Sequence, residues 1–89
     1  MDARNIRVSG MVQGVGFRWT TKRIADSLGL SGWVKNNDDG SVSIAVKGDA
    51  ETVDRFIEEL HDAMGHYIAG VQSAKAVPGK IRDGFDVVR

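Results

Sequence analysis

Twice along this chain the apolar residues change period, from every second position to a helical spacing and back again. Ile6 and Val8, with Val12 close behind, alternate with polar Arg7 and Ser9 and predict a first strand. Phe17, Thr21, Ile24, Ala25 and Leu28 then recur three and four residues apart, which predicts an amphipathic helix over residues 17 to 28. Gly29 supplies a left-handed C′ position, and Leu30 is placed to fold back onto Ala25 in a Schellman ending. "GWVKN" and "SVSIAVKG" then read as a hairpin. Val42, Ile44 and Val46 share one face of it, and Asp39-Gly40 makes the turn. A second helix begins with Asp49 as N-cap, and Glu51 adds favourable charge in its first turn. Its apolar stripe is Val53, Phe56, Ile57, Leu60 and Met64, and Gly65 is its stop. Beyond lie a strand from Val71 to Val77, a loop through Pro78-Gly79, and a last strand at Phe85 to Val88.

Strand, helix, two strands, helix, and a strand or strand pair is the order of the ferredoxin-like split βαβ sandwich. The expected fold is therefore α+β, βαββαβ, with one antiparallel sheet covered on one face by two helices. At 89 residues the chain suits one domain over residues 1–89, because so short a chain buries only about two thirds of its unfolded surface. No apolar run reaches membrane-spanning length and "MDARNIRV" has no signal-peptide pattern, so the expected location is cytoplasmic. The absence of cysteine excludes a disulfide framework, thiolate zinc sites and a cysteine nucleophile. Lys plus Arg equals Asp plus Glu, at 12 each, which argues against a general binder of nucleic acid or membrane surfaces. An anion, if one is bound, must be held by a local arrangement.

"SGMVQGVGFRWTTKRIA" contains such an arrangement. The first four N–H groups of a helix have no partner inside it, and no Ser, Thr, Asp or Asn precedes Phe17 to supply one. Gly14 and Gly16 permit positive φ, so the loop can curl its N–H groups inward at the positive end of the helix dipole. Arg18, in the first turn, leans back toward the same place; Arg23 lies more than a turn further on. The residues alone also admit a plainer reading, in which the glycines serve turn geometry and the arginine is solvated. Two other phosphate loops are excluded. Gly16 is followed by Phe17-Arg18 rather than Lys-Ser/Thr, and Trp19 stands where a dinucleotide fingerprint needs glycine.

"GMVQGVGFR", "LGLSGWVKNNDDGSV", the pair Lys47-Gly48 and a closing "FDVVR" resemble the acylphosphatase family over nearly the whole chain, most strongly over residues 8 to 48. The resemblance implies the ferredoxin-like fold and hydrolysis of a carboxyl–phosphate bond. Arg18 matches the arginine that holds the substrate phosphate, and Asn36 matches the asparagine that orients the attacking water. Gln13, Gly14, Val15, Gly16 and Phe17 match the phosphate cradle. It further implies a small-molecule acyl phosphate as substrate and inorganic phosphate as product; no metal or cofactor is expected from the residues, and a monomer is the default. After the second helix "MGHYIAGVQSAKAV" keeps Gly65, Ala69 and Val71 but lacks the family's Gly-Pro pair.

The chemistry agrees with this inventory. A carboxylate leaving group has a conjugate acid with pKa near ~4, so it departs without a proton, whereas an alkoxide does not. Asn36 also suits a turn, since "NNDDG" is a turn sequence; Asn37 is the better turn-former. His61 and His66 stand five apart, on different helix faces, and read as structural or solvated. Ser9, Ser31 and Ser41 have no histidine partner in a triad-like pattern, and Asp38 and Asp39 are adjacent turn residues. Trp19 and Trp33 read as packing residues, and Lys22 and Arg23 as a solvated face on which Lys22 adds positive potential. Two alternatives stand behind the hydrolase. One is a non-catalytic or accessory module of the same fold, of the kind found within larger carbamoyl-transfer maturation proteins. The other, ranked last, is an RNA-binding module, for which "SVSIAVKG" offers no aromatic.

Overall fold

The computed structural model describes residues Met1 to Arg89. Its elements are β1 (Asp2–Gly10), α1 (Phe17–Ser27), β2 (Ser31–Asn36), β3 (Val42–Gly48), α2 (Ala50–Met64), β4 (Ile68–Lys75) and β5 (Phe85–Val88). Short 3₁₀ turns follow α2 at Gly65–Tyr67 and precede β5 at Pro78–Lys80.

The five strands form one sheet in the order β4-β1-β3-β2-β5. β1 pairs antiparallel with β3 and β4, and β2 pairs antiparallel with β3. Each helix therefore links two parallel strands that flank a third, which is the split arrangement expected. The sheet is not wholly antiparallel, however: β5 lies parallel to β2, from Gly32↔Phe85 to Lys35↔Val88. The route of the chain explains it. β4 ends beside Arg4, at the end of the sheet where β1 starts. The connecting segment packs Ile81 on Ala3 and Ala45, and the chain pairs next at Gly32. A strand that begins where β2 begins runs parallel to it.

Alternation assigns the two sheet faces. Ile6, Val8, Val34, Val42, Ile44 and Val46 face the helices and pack with Phe17, Ile24 and Ala25 of α1 and Val53, Phe56, Leu60 and Met64 of α2. Phe85 joins this core, its ring centroid 6.5 Å from that of Phe56. α1 ends as expected: Leu30 N–H bonds to Ala25 O at 2.9 Å, Gly29 N–H bonds to Asp26 O at 3.1 Å, and Gly29 has φ 70°.

Several expectations need correction. Trp19 does not pack in the core; it is 62% exposed, because Phe17 and Thr21 already fill the buried stripe of α1. Trp33 does pack as expected, half-buried on the opposite sheet face against the small Ala3–Ala45–Ile81 cluster. Lys22 is not merely solvated: its Nζ donates to Phe85 O at 2.8 Å and to Asp26 Oδ2 at 3.0 Å, stitching α1 to β5. Asp49 occupies the N-cap, but its side chain makes no capping bond; only its carbonyl serves, accepting from Val53 N–H at 2.9 Å. Gly65 ends α2 in a right-handed conformation that runs on into the 3₁₀ turn. β4 starts at Ile68, before the expected Val71, and ends at Lys75. Pairing with β1 sets its length, and its exposed edge position leaves no apolar alternation to read.

Candidate active site

β1 and β2 are parallel, so both deliver their carboxyl ends to the same end of the sheet. Val8, Val42 and Asn36 lie in one row across β1, β3 and β2. Directly opposed residues share a face, so Asn36 is on the helix side, where the chain leaving β1 turns into α1. That turn is tight. Met11 N–H bonds to Tyr67 O at 2.8 Å, Val12 is buried, and Gly14 and Gly16 take φ of 76° and 78°. Gly16 is the N-cap of α1 in the left-handed region, and no side chain caps the helix. The N–H groups of residues 12–16 donate to no backbone or side-chain atom of the chain. The helix end is open, as the sequence implied.

Arg18 is half-buried in the first turn of α1. Its Nη1 donates to Val88 O at 3.2 Å, and it takes part in none of the ion pairs of the molecule. With Lys22 one turn later bonded to Phe85 O, β5 serves as a rail along which α1 is held. The guanidinium keeps further N–H donors unused beside the free backbone N–H groups. A recess of about 100 Å³ gathers these groups, lined by Val12, Gly14, Gly16, Phe17, Arg18, Trp19 and Asn36. The Oδ1 atom of Asn36 is buried there and has no hydrogen-bond partner. Nearly all buried polar atoms have one, so this acceptor is an exception within the chain.

Gln13 and Val15 do not line the recess. The Gln13 amide turns the other way, donating from Nε2 to Asn37 O at 2.8 Å and Ser41 O at 2.9 Å. It thus ties the glycine loop to the β2–β3 turn directly after Asn36. That turn is itself cross-braced. Asn37 Nδ2 donates to Ser41 Oγ and Ser43 Oγ at 2.9 and 2.8 Å, and Asn37 N–H bonds to Ser41 O at 2.8 Å. Asp39 accepts from Ser41 Oγ and N–H and from Arg7. The Ser41 hydroxyl and N–H, with the Arg7 charge beside them, hold the Asp39 carboxyl below its ordinary pKa. None of these braces was identified from sequence. Their only signal is the run of Asn, Asp and Ser between residues 36 and 43, which marks a turn without naming its partners. His61 and His66 are exposed and lie outside the recess.

The chain matches the model of one known family, acylphosphatase, over residues 4–87. It belongs to the acylphosphatase family. An acylphosphatase of Listeria monocytogenes is 43% identical over 89 residues, covering 98% of this chain and 96% of that protein. One from Lactobacillus johnsonii is 55% identical over a shorter match of 60 residues, 67% of this chain and 66% of its own length. The crystal structure of acylphosphatase from Bacillus subtilis superposes with a TM-score of 0.88 at 31% identity, covering both chains fully. The fold also recurs within a larger protein: T. kodakarensis HypF matches all of this chain with 12% of its own, at TM-score 0.85 and 36% identity. The acylphosphatase match takes in every residue of the recess, from Val12 to Asn36.

Proposed function

We propose that the recess between the glycine loop and β2 is the active site of an acylphosphatase, hydrolysing the carboxyl–phosphate bond of an acyl phosphate to a carboxylate and inorganic phosphate. In this reading the backbone N–H groups of the loop at Gly14, Gly16 and Phe17 and the Arg18 guanidinium hold the phosphoryl oxygens. They stabilise the charge that spreads over those oxygens in the transition state. The water lies against the Asn36 side-chain amide, which positions it. The water oxygen forms the new P–O bond in line with the bond that breaks, and the electron pair of the breaking bond leaves with the carboxylate. An amide positions but does not act as a base, so the water proton passes to a phosphoryl oxygen. The leaving group requires no acid, which suits a recess whose only ionisable lining residue is Arg18. The observation that carries this reading is that Asn36 and the Arg18 guanidinium, which is in no ion pair, line the same recess as the uncapped start of α1.

The same proposal takes residues 1–89 as one domain acting as a monomer in the cytoplasm. Its partners are small molecules, with no nucleic acid and no membrane; no helix is long and apolar enough to cross one. The test is steady-state hydrolysis of acetyl phosphate by the wild type and Arg18→Ala, with folding followed by circular dichroism. The wild type turns over and is inhibited competitively by inorganic phosphate. Arg18→Ala folds, loses about 10³-fold or more in kcat/KM, and no longer responds to phosphate. An inert wild type, or an Arg18→Ala variant as active as wild type, overturns the reading.

A further inference from the structure

We propose that the Trp19 indole is the platform for the acyl group, and that it gives this enzyme a preference for acyl phosphates with an aromatic or extended apolar acyl part. The inference rests on the reading of the recess as an acyl-phosphate site and adds the half of the substrate that reading leaves unplaced.

The recess holds about 100 Å³, and its polar lining, Arg18, Asn36 and the glycine loop, is already assigned to the phosphoryl group and the water. The acyl part must therefore lie at the mouth. In-line displacement fixes its direction, because the leaving oxygen departs opposite the attacking water and so away from Asn36. The lining then decides what the acyl group meets. Val12 and Phe17 are each only 1% exposed and belong to the core. Gly14 and Gly16 have no side chains. Arg18 and Asn36 are assigned to phosphate and water. Trp19 alone among the lining residues presents a large apolar side chain to solvent, at 62% exposure.

The indole has no competing occupation. It makes no hydrogen bond within the chain, and the two aromatic contacts of the molecule are Phe56–Phe85 and His66–Tyr67. It stands one residue after Arg18 on the rigid first turn of α1, so its base is fixed relative to the phosphate site. A planar or chain-like acyl group leaving the recess covers this surface. An acetyl or carbamoyl group is too short to cover much of it.

The test compares benzoyl phosphate with acetyl phosphate for wild type, Trp19→Ala and Trp19→Phe, with thermal unfolding as the folding control. Because the two compounds differ in intrinsic reactivity, the quantity read is the change in their kcat/KM ratio between variants. A well-placed aromatic pair corresponds to about a three- to tenfold effect. Trp19→Ala is therefore expected to lower benzoyl phosphate kcat/KM by roughly that factor while leaving acetyl phosphate within about twofold. Trp19→Phe is expected to recover most of the loss. A ratio unchanged in Trp19→Ala, whether both rates fall together or neither falls, overturns the assignment of Trp19. A wild type inert toward acetyl phosphate overturns the reading of the recess itself, and the Trp19 assignment with it.

Discussion

Replacing Asn36 with alanine separates a working residue from a structural one, because the two roles predict stability changes of opposite sign. A buried acceptor left without a partner costs about 1–3 kcal/mol, and Asn36 Oδ1 is such an acceptor. The residue is only half-buried, which places the figure in the lower part of that range. Truncation removes the orphan and forfeits packing of the side-chain carbon, at about 0.8 kcal/mol per buried CH₂ equivalent. The net is near zero or up to about 1 kcal/mol stabilising. In a domain of this size 1 kcal/mol moves Tm by about 4–8 °C, so Asn36→Ala is expected to melt at the wild-type temperature or a few degrees above it. Losing one preorganised group at the reacting centre lowers the rate by about 10²–10³-fold, equivalent to about 2.7–4 kcal/mol.

The assay pairs acetyl phosphate kcat/KM with calorimetric melting, each with and without inorganic phosphate. Phosphate raises the Tm of any variant that binds it, by mass action. Because Asn36 is assigned to the water, Asn36→Ala keeps the phosphate-induced rise; Arg18→Ala loses it. A Tm lowered by more than about 8 °C in Asn36→Ala would refute the reasoning, since the amide would then hold the fold rather than a water. Activity within threefold of wild type would refute it as directly.

Gln13→Leu removes two hydrogen bonds, but Asn37 O retains Gly40 N–H at 3.2 Å and Ser41 O retains Asn37 N–H at 2.8 Å. With neither carbonyl orphaned the expected loss is about 1–2 kcal/mol in denaturant melts, with a fall in kcat/KM because the loop is no longer registered against Asn36. Gly32→Ala would place a Cβ 1.8 Å from Ala45 O, on a backbone at φ 150°, and the obstacle is the facing strand itself. Its expected cost exceeds about 3 kcal/mol, checked by urea unfolding; a near-wild-type midpoint contradicts the close approach of β2 and β3. For Asp39 the folded pKa is depressed, so its contribution is present above the ordinary carboxylate pKa and is lost below it, as pH falls through the lowered folded value. Tm profiles from pH 5 to 3 should fall more steeply for wild type than for Asp39→Asn, and parallel profiles would remove Asp39 as a contributor.

The elements that could be read from sequence are those whose burial writes a period. Helix α1 and the central strands alternate or repeat because one side of each meets the core, and Phe17, Ile24, Val42, Ile44 and Phe56 were placed correctly on that side. Strand β4 carries no such signal, since it lies at an edge and is exposed almost throughout; its first residues were missed for that reason. The direction of β5 was hidden differently. Its alternation fits either neighbour, and only the path of residues 76–84 to the far edge makes it parallel to β2. Trp19 misled because size suggested packing, while its position in the α1 stripe is between the buried Phe17 and Thr21 rather than on their face.

The candidate site was legible for a further reason, which also explains what stayed hidden. What marks "VQGVGFR" is a lack: a helix start without a capping residue, followed by a cation without a nearby carboxylate. The folded chain keeps both lacks. The N–H groups of residues 12–16 remain unbonded and Arg18 remains unpaired, so nothing within the molecule competes for an anion placed there. A missing partner can be read from sequence when it should be a neighbour, as an N-cap should. The Gln13 bonds to Asn37 and Ser41 join residues distant in the chain, so no local pattern predicts them. Those bonds connect the two halves of the recess, the loop that cradles the anion and the strand end that carries Asn36. In the proposed mechanism the loop's open N–H groups and the Arg18 guanidinium together hold the phosphate. In that mechanism their alignment with Asn36 is what adds in-line attack, and the Gln13 bonds that fix it are the contact sequence could not reveal.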